Sequence, residues 1–103
     1  MIQAVLTEHQ GKIQSITVSG HSGSADKGED LICAAVSAIS FGICNALYEL
    51  GSDASCVVAD NRIEISVGTS DERTQTILQT MVVQLQTVME GNETFLTIRK
   101  TEV

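Results

Sequence analysis

At 103 residues and 43% apolar composition, the chain supports a single domain (1–103) with one core. Proline is absent and only Phe41, Tyr48 and Phe95 are aromatic, so the core must be built from Ile, Leu, Val, Ala and Met, with no linker or disordered tail. A net charge of −7 argues against nucleic-acid binding through the phosphate backbone; it suits attraction of a basic protein, or simply solubility.

Met1-Ile2-Gln3-Ala4-Val5-Leu6 has no positive n-region and turns polar at once, which predicts a strand rather than a signal peptide. Ile2–Thr7 and Ile13–Ser19 read as a hairpin turning at His9-Gln10-Gly11-Lys12. In the second strand Gln14, Ile16 and Val18 share one face, and Ser15, Thr17 and Ser19 the other. A loop over Gly20–Glu29 follows, with Asp30 as candidate N-cap of a helix that ends near Leu50, with Gly51 just beyond. Leu31–Leu50 is long enough to span a bilayer. Ser37, Ser40, Asn45 and Glu49 interrupt it and its upstream flank is acidic, which predicts a buried helix and no membrane contact.

Ser55–Ala59 and Ile63–Val67 form a second expected hairpin around Asp60-Asn61. Thr69 and Glu72 have the spacing of a capping box. The helix they would open carries an apolar stripe of Leu78, Met81, Val82, Leu85, Val88 and Met89, with Gln75, Gln79 and Gln86 off it. Gly91 ends this helix, and Phe95–Arg99 reads as a last strand. The order β-β-α-β-β-α-β predicts an α+β fold, an antiparallel-rich sheet of about five strands with two helices packed on it. The first helix is apolar around most of its circumference, which predicts a dimer through it; the alternative is a helix sandwiched within the monomer.

Chemistry concentrates between Gly20 and Ser37. With Asp30 as N-cap, Cys33 falls in the first helical turn, where unpaired amides favour a thiolate and could hold an oxyanion. The competing reading is a small apolar core residue. His21 could take the thiol proton and later protonate a leaving amine, or it could be a solvated loop residue. Asp30 either caps the helix or orients the histidine ring. Ser37, four residues after Cys33, either joins the site or bonds back to a main-chain carbonyl. Cys44 lies deep in the helix and Cys56 on a strand; both are expected in the core.

Gly23 and Gly28 have the gap of a phosphate-binding loop, but Glu29-Asp30 stand where that loop needs Lys-Ser/Thr. His21 and Cys33 lack the spacing of a metal site, so no metal or other cofactor is expected. Gly20, Gly23 and Gly28 suit a flap that moves over the site. Three cysteines without an export signal suggest free thiols in a reducing compartment.

The same stretch resembles the ribosomal-processing cysteine protease family, Prp. Its pattern is Gly-His, a Gly/Ala-containing loop, then Gly-x-Asp-x-x-Cys-Ala-Ala-x-Ser, matched here by Gly20-His21, Gly23, Ala25, Gly28, Asp30, Cys33-Ala34-Ala35 and Ser37. The resemblance implies a homodimeric cytoplasmic endopeptidase that removes the N-terminal extension of the precursor of ribosomal large-subunit protein twenty-seven, cutting after phenylalanine. Carried over, Cys33 is the nucleophile, His21 its base, Asp30 and Ser37 supporting residues, and the loop from Gly20 to Glu29 the flap. Asp26, Glu29 and Asp30 near its entrance would attract the basic ribosomal protein. Phe41, on the cysteine face, is a candidate wall of the phenylalanine pocket. From other classes, a non-catalytic ribosome-assembly or protein-binding module would use the same flap, and a redox-sensing thiol protein would need a resolving cysteine that core positions for Cys44 and Cys56 do not supply.

Overall fold

Alternation of apolar and polar residues makes the first two strands, and the turn between them sets their register. β1 (Ile2–His9) and β2 (Lys12–Ser19) pair antiparallel around Gln10 at φ 51° and Gly11 at φ 78°. Two successive positive φ values match the twist of the flanking strands. The computed structural model describes residues 1–20 and 27–103, the side chains of 27–30 excepted.

The expected face of Gln14, Ile16 and Val18 needs one correction. Thr7 and Glu8 pair with Ser15 and Ile13, so Gln14 is the extra residue of a bulge. The bulge turns Ile13 to the side of Ile16 and Val18, and these three are buried.

The expected N-cap at Asp30 is also corrected, because α1 (Lys27–Glu49) begins three residues earlier than that cap. Neither proline nor a β-branched residue stands in Lys27-Gly28-Glu29-Asp30 to stop the extra turn. Gly28 and Asp30 thus belong to the first turn of α1 rather than to a loop and a cap. The helix is followed by Gly51 at φ 71°, as expected.

β3 (Ala54–Ala59) and β4 (Arg62–Val67) form the second hairpin, in which Asn61 supplies the positive φ, 59°. α2 (Glu72–Met89) is capped by Asp71, whose carboxylate accepts the Thr74 N–H at 2.7 Å. Thr69 does not form the expected capping box. Its amide and hydroxyl both donate to Asp53 Oδ2, each at 2.9 Å, which ties the start of α2 to the start of β3. Gln75 is off the apolar stripe yet buried. It accepts the Ile13 N–H and donates to the Ile13 carbonyl, both at 2.8 Å, and so pins the bulged hairpin to α2.

α2 carries the chain across the sheet to β5 (Leu96–Glu102), which pairs parallel with β1 from Ile2 to Glu8 and runs three residues past the expected end. The five strands of the described residues lie in the order β3-β4-β2-β1-β5. Only the β1–β5 pair is parallel among them, so the fold is the expected α+β arrangement. The inner face contributes Ala4, Leu6, Ile16, Ile65 and Leu96 to the core, covered by Leu47 of α1 and by Leu78, Met81 and Leu85 of α2. Leu31–Glu49 is long and apolar enough for a membrane span; here Ile32, Val36, Ile43 and Leu47 pack one side of it into this core.

Candidate active site

The helix start decides what Cys33 has for neighbours. With Lys27 as first residue, Cys33 is the seventh, in the second turn rather than the first. The amides without intrahelical partners belong to the first four residues, one turn before the sulfur. The helix dipole fades within that turn, so it favours a thiolate at Cys33 less than the expected position would.

Cys33 and Ser37 lie one turn apart and line a cavity of about 380 Å³ between α1 and the β3–β4 end of the sheet. Phe41 lines it too, on the α1 side, as expected. Val18, Val58 and Ile63 supply apolar wall from three strands, while Asn61 and Arg62 supply polar groups. Ser40 forms part of the same wall, but its buried hydroxyl donates to the Val36 carbonyl at 2.8 Å; Ser37 is exposed. The contributions of β3, β4 and their turn were not visible in the sequence, because nothing local links residues 58–63 to Cys33.

Gly20 also borders this cavity, at the residue after β2. Its φ is +86°, and a Cβ there would collide with the Met1 carbonyl oxygen. Its N–H donates to the Asn61 carbonyl at 3.0 Å, so the second hairpin holds the chain where it leaves the first. His21 and Gly23 lie outside the described residues, as does the side chain of Asp30; the expected pairing of His21 with Cys33 falls there too.

Cys44 and Cys56, expected in the core, pack against it without being fully buried, and the two side chains meet between α1 and β3. Burial, and then the neighbouring Cys44 thiol, push Cys56 up to about 12. Among the described residues no three His, Cys, Asp or Glu side chains cluster to hold a metal ion.

The family model for cysteine protease Prp matches residues 1–97. The chain belongs to the Prp cysteine protease family. The ribosomal processing cysteine protease Prp of Staphylococcus aureus is 36% identical over 90 residues, which cover 84% of this chain and 85% of that protein. The crystal structure of the S. aureus Prp with a substrate peptide superposes with a TM-score of 0.91 at 28% identity, over 98% of this chain and 100% of the other. Its structure with a covalently linked product peptide gives 0.87 at 32%, over the same shares.

This Prp chain is therefore a cysteine peptidase. The family match spans every element up to the start of β5, so the likeness read from Gly20–Ser37 extends to the Prp fold as a whole. Within that fold Cys33 stands on the wall of a cavity, whereas Cys44 and Cys56 face each other.

Proposed function

We propose that this Prp protein is an endopeptidase that removes the N-terminal extension from the precursor of ribosomal large-subunit protein twenty-seven, cutting after a phenylalanine. The observation that carries the reading is Cys33 on the wall of the roughly 380 Å³ cavity with Phe41, Val58 and Ile63 beside it. That volume is near the lower end of ligand pockets, roughly 300–1,000 Å³, and suits one bulky side chain with a short run of backbone. The relatives' names and the peptide-bound S. aureus structures support a peptide substrate of ribosomal origin.

In this reading His21 takes the Cys33 proton, and the thiolate attacks the carbonyl carbon of the phenylalanine. The tetrahedral intermediate collapses as the His21 imidazolium protonates the departing amine. Water, deprotonated by His21, then attacks the thioester and frees the Cys33 sulfur. Because the helix start lies a full turn before Cys33, the positive charge that sustains the thiolate comes mainly from His21. Asp30 and Ser37 support the site: Asp30 from the first turn of α1, Ser37 from the turn after Cys33. The flap runs from Gly20 through Gly23 to the start of α1, and the acidic residues Asp26, Glu29 and Asp30 in and beside it attract the basic body of the precursor.

The protein acts in the cytoplasm as a homodimer. Leu31 is 70% and Tyr48 84% exposed on α1, and Phe41 is also exposed; a second α1 would cover them. No metal or other cofactor enters the mechanism, and the acidic surface is unsuited to direct nucleic-acid contact.

Incubating the purified chain with the precursor and weighing the products tests the assignment. Wild type should release the extension with phenylalanine at its new C-terminus, and Cys33→Ala should release none. Equal processing by Cys33→Ala would overturn it.

A further inference from the structure

β3 is an outermost strand of the sheet, and among the described residues it is hydrogen-bonded to β4 alone. The backbone bonds fix which of its groups are spare. The Gly68 N–H donates to the Asp53 carbonyl at 2.8 Å, and the pairing then runs unbroken from Ala54↔Val67 to Ala59↔Arg62. Main-chain groups of an antiparallel strand alternate sides, so Ser55, Val57 and Ala59 turn theirs to β4. Ala54, Cys56 and Val58 turn their N–H and C=O groups to the open edge. We propose that this edge docks the substrate: the extended segment of the precursor next to its phenylalanine adds to β3 as a further strand, which leads the phenylalanine into the cavity beside Cys33. This rests on the peptide-substrate reading above.

Three observations carry it. An edge strand invites pairing, and proteins blunt the edges they do not use with charge, proline or a bulge. β5, at the other end of the sheet, is blunted: it carries Arg99, Lys100 and Glu102, with Lys100 paired to Glu8 at 3.4 Å. Ala54–Ala59 has no charge, no proline and no register shift, and its Val57 and Val58 are exposed.

The open edge is also continuous with the cavity. Val58 and Ala59, at the end of β3, line it together with Cys33 and Phe41, so a chain laid along the edge arrives at the thiol. This continuity, rather than the bare edge, selects a peptide over a second copy of β3. The faces agree as well. Cys56 and Val58 lie opposite the buried Ile65 and Ile63, so alternate side chains of an added strand turn toward α1 and the others away from it. Ala54 and Val58 are about 13 Å apart along β3, room for a short run of extended peptide. Main-chain bonds supply affinity whatever the sequence, and the cavity supplies the choice of phenylalanine.

The test uses the Cys33→Ala protein, a labelled peptide spanning the cleavage segment, and versions of that peptide each N-methylated at one backbone amide. Binding should weaken about fivefold or more on methylation of every second residue and change little at those between. Amide exchange followed residue by residue by NMR should slow about tenfold or more at Ala54, Cys56 and Val58 in the complex, whereas Ser55, Val57 and Ala59 are already slow in the free protein. A bound peptide with no alternation, or with exchange unchanged at those three amides, would overturn the docking edge and leave the substrate assignment standing. Slow exchange there without peptide, relieved on dilution, would give the edge to a second copy and overturn it too. A peptide that does not bind at all would count against the substrate assignment and take the docking edge with it.

Discussion

Gly20→Ala tests whether the second hairpin fixes the chain just before His21. Gly20 sits at φ +86°, a conformation that costs an L-residue about 1–2 kcal/mol. The new Cβ would also run into the backbone carbonyl of Met1, which no side-chain rotation can relieve. Relief must stretch the Gly20 N–H bond to Asn61, now 3.0 Å, or the Ile2 N–H bond to Phe95, now 2.8 Å. Each is worth about 1 kcal/mol, which brings the expected loss to about 2–4 kcal/mol. In a domain of this size that lowers the melting temperature by roughly 10–20 °C. Gly91→Ala is the matched control: its φ is +78°, but nothing lies within 4 Å of an added Cβ, so it should lose only the conformational share. Urea unfolding of both variants against wild type measures the difference. Equal losses would refute the collision with Met1, and a Gly20→Ala protein as stable as wild type would refute the whole account. Where both variants remain folded, Gly20→Ala should also lower kcat/KM further than Gly91→Ala.

Gln75→Leu strands the buried N–H and C=O of Ile13 and should destabilise by about 2–4 kcal/mol in urea unfolding, whereas Gln79→Leu should change little. The Asp71 carboxyl is held below its ordinary 3.8 by the Thr74 hydrogen bonds. Its contribution is therefore complete above pH 3.8 and lost as pH falls through the lowered value; Asp71→Asn should flatten the acid limb of a melting-temperature profile, and an unchanged limb would refute the cap. Cys56 works in the opposite direction. Its folded value of about 12 lies above the ordinary 9.0, so its contribution is complete below pH 9 and lost as pH rises toward 12; Cys56→Ala should reduce the alkaline fall in stability, and iodoacetamide at pH 9 should label Cys56 far more slowly in the folded chain than in urea.

The sequence by itself determined the element order, the two hairpins and the family. Each rests on a short-range pattern: alternation for the strands, three- and four-residue spacing for the helices, and the run from Gly20-His21 to Ser37 for Prp. A local signal can also be claimed by a distant group. Thr69 reads as the start of the second helix, but it is taken by Asp53 of the preceding hairpin, and Asp71 caps the helix instead. Gln75 reads only as a residue off the apolar stripe until the bulge at Gln14 brings the Ile13 backbone against it. The walls of the Cys33 cavity come from β1, β2, β3, β4 and α1, and the Cys44–Cys56 contact joins a helix to an edge strand. Only the tertiary structure decided these. Burial, desolvation and hydrogen-bond competition depend on which distant backbone groups arrive at a side chain, and a spacing of two to four residues carries no information about that arrival.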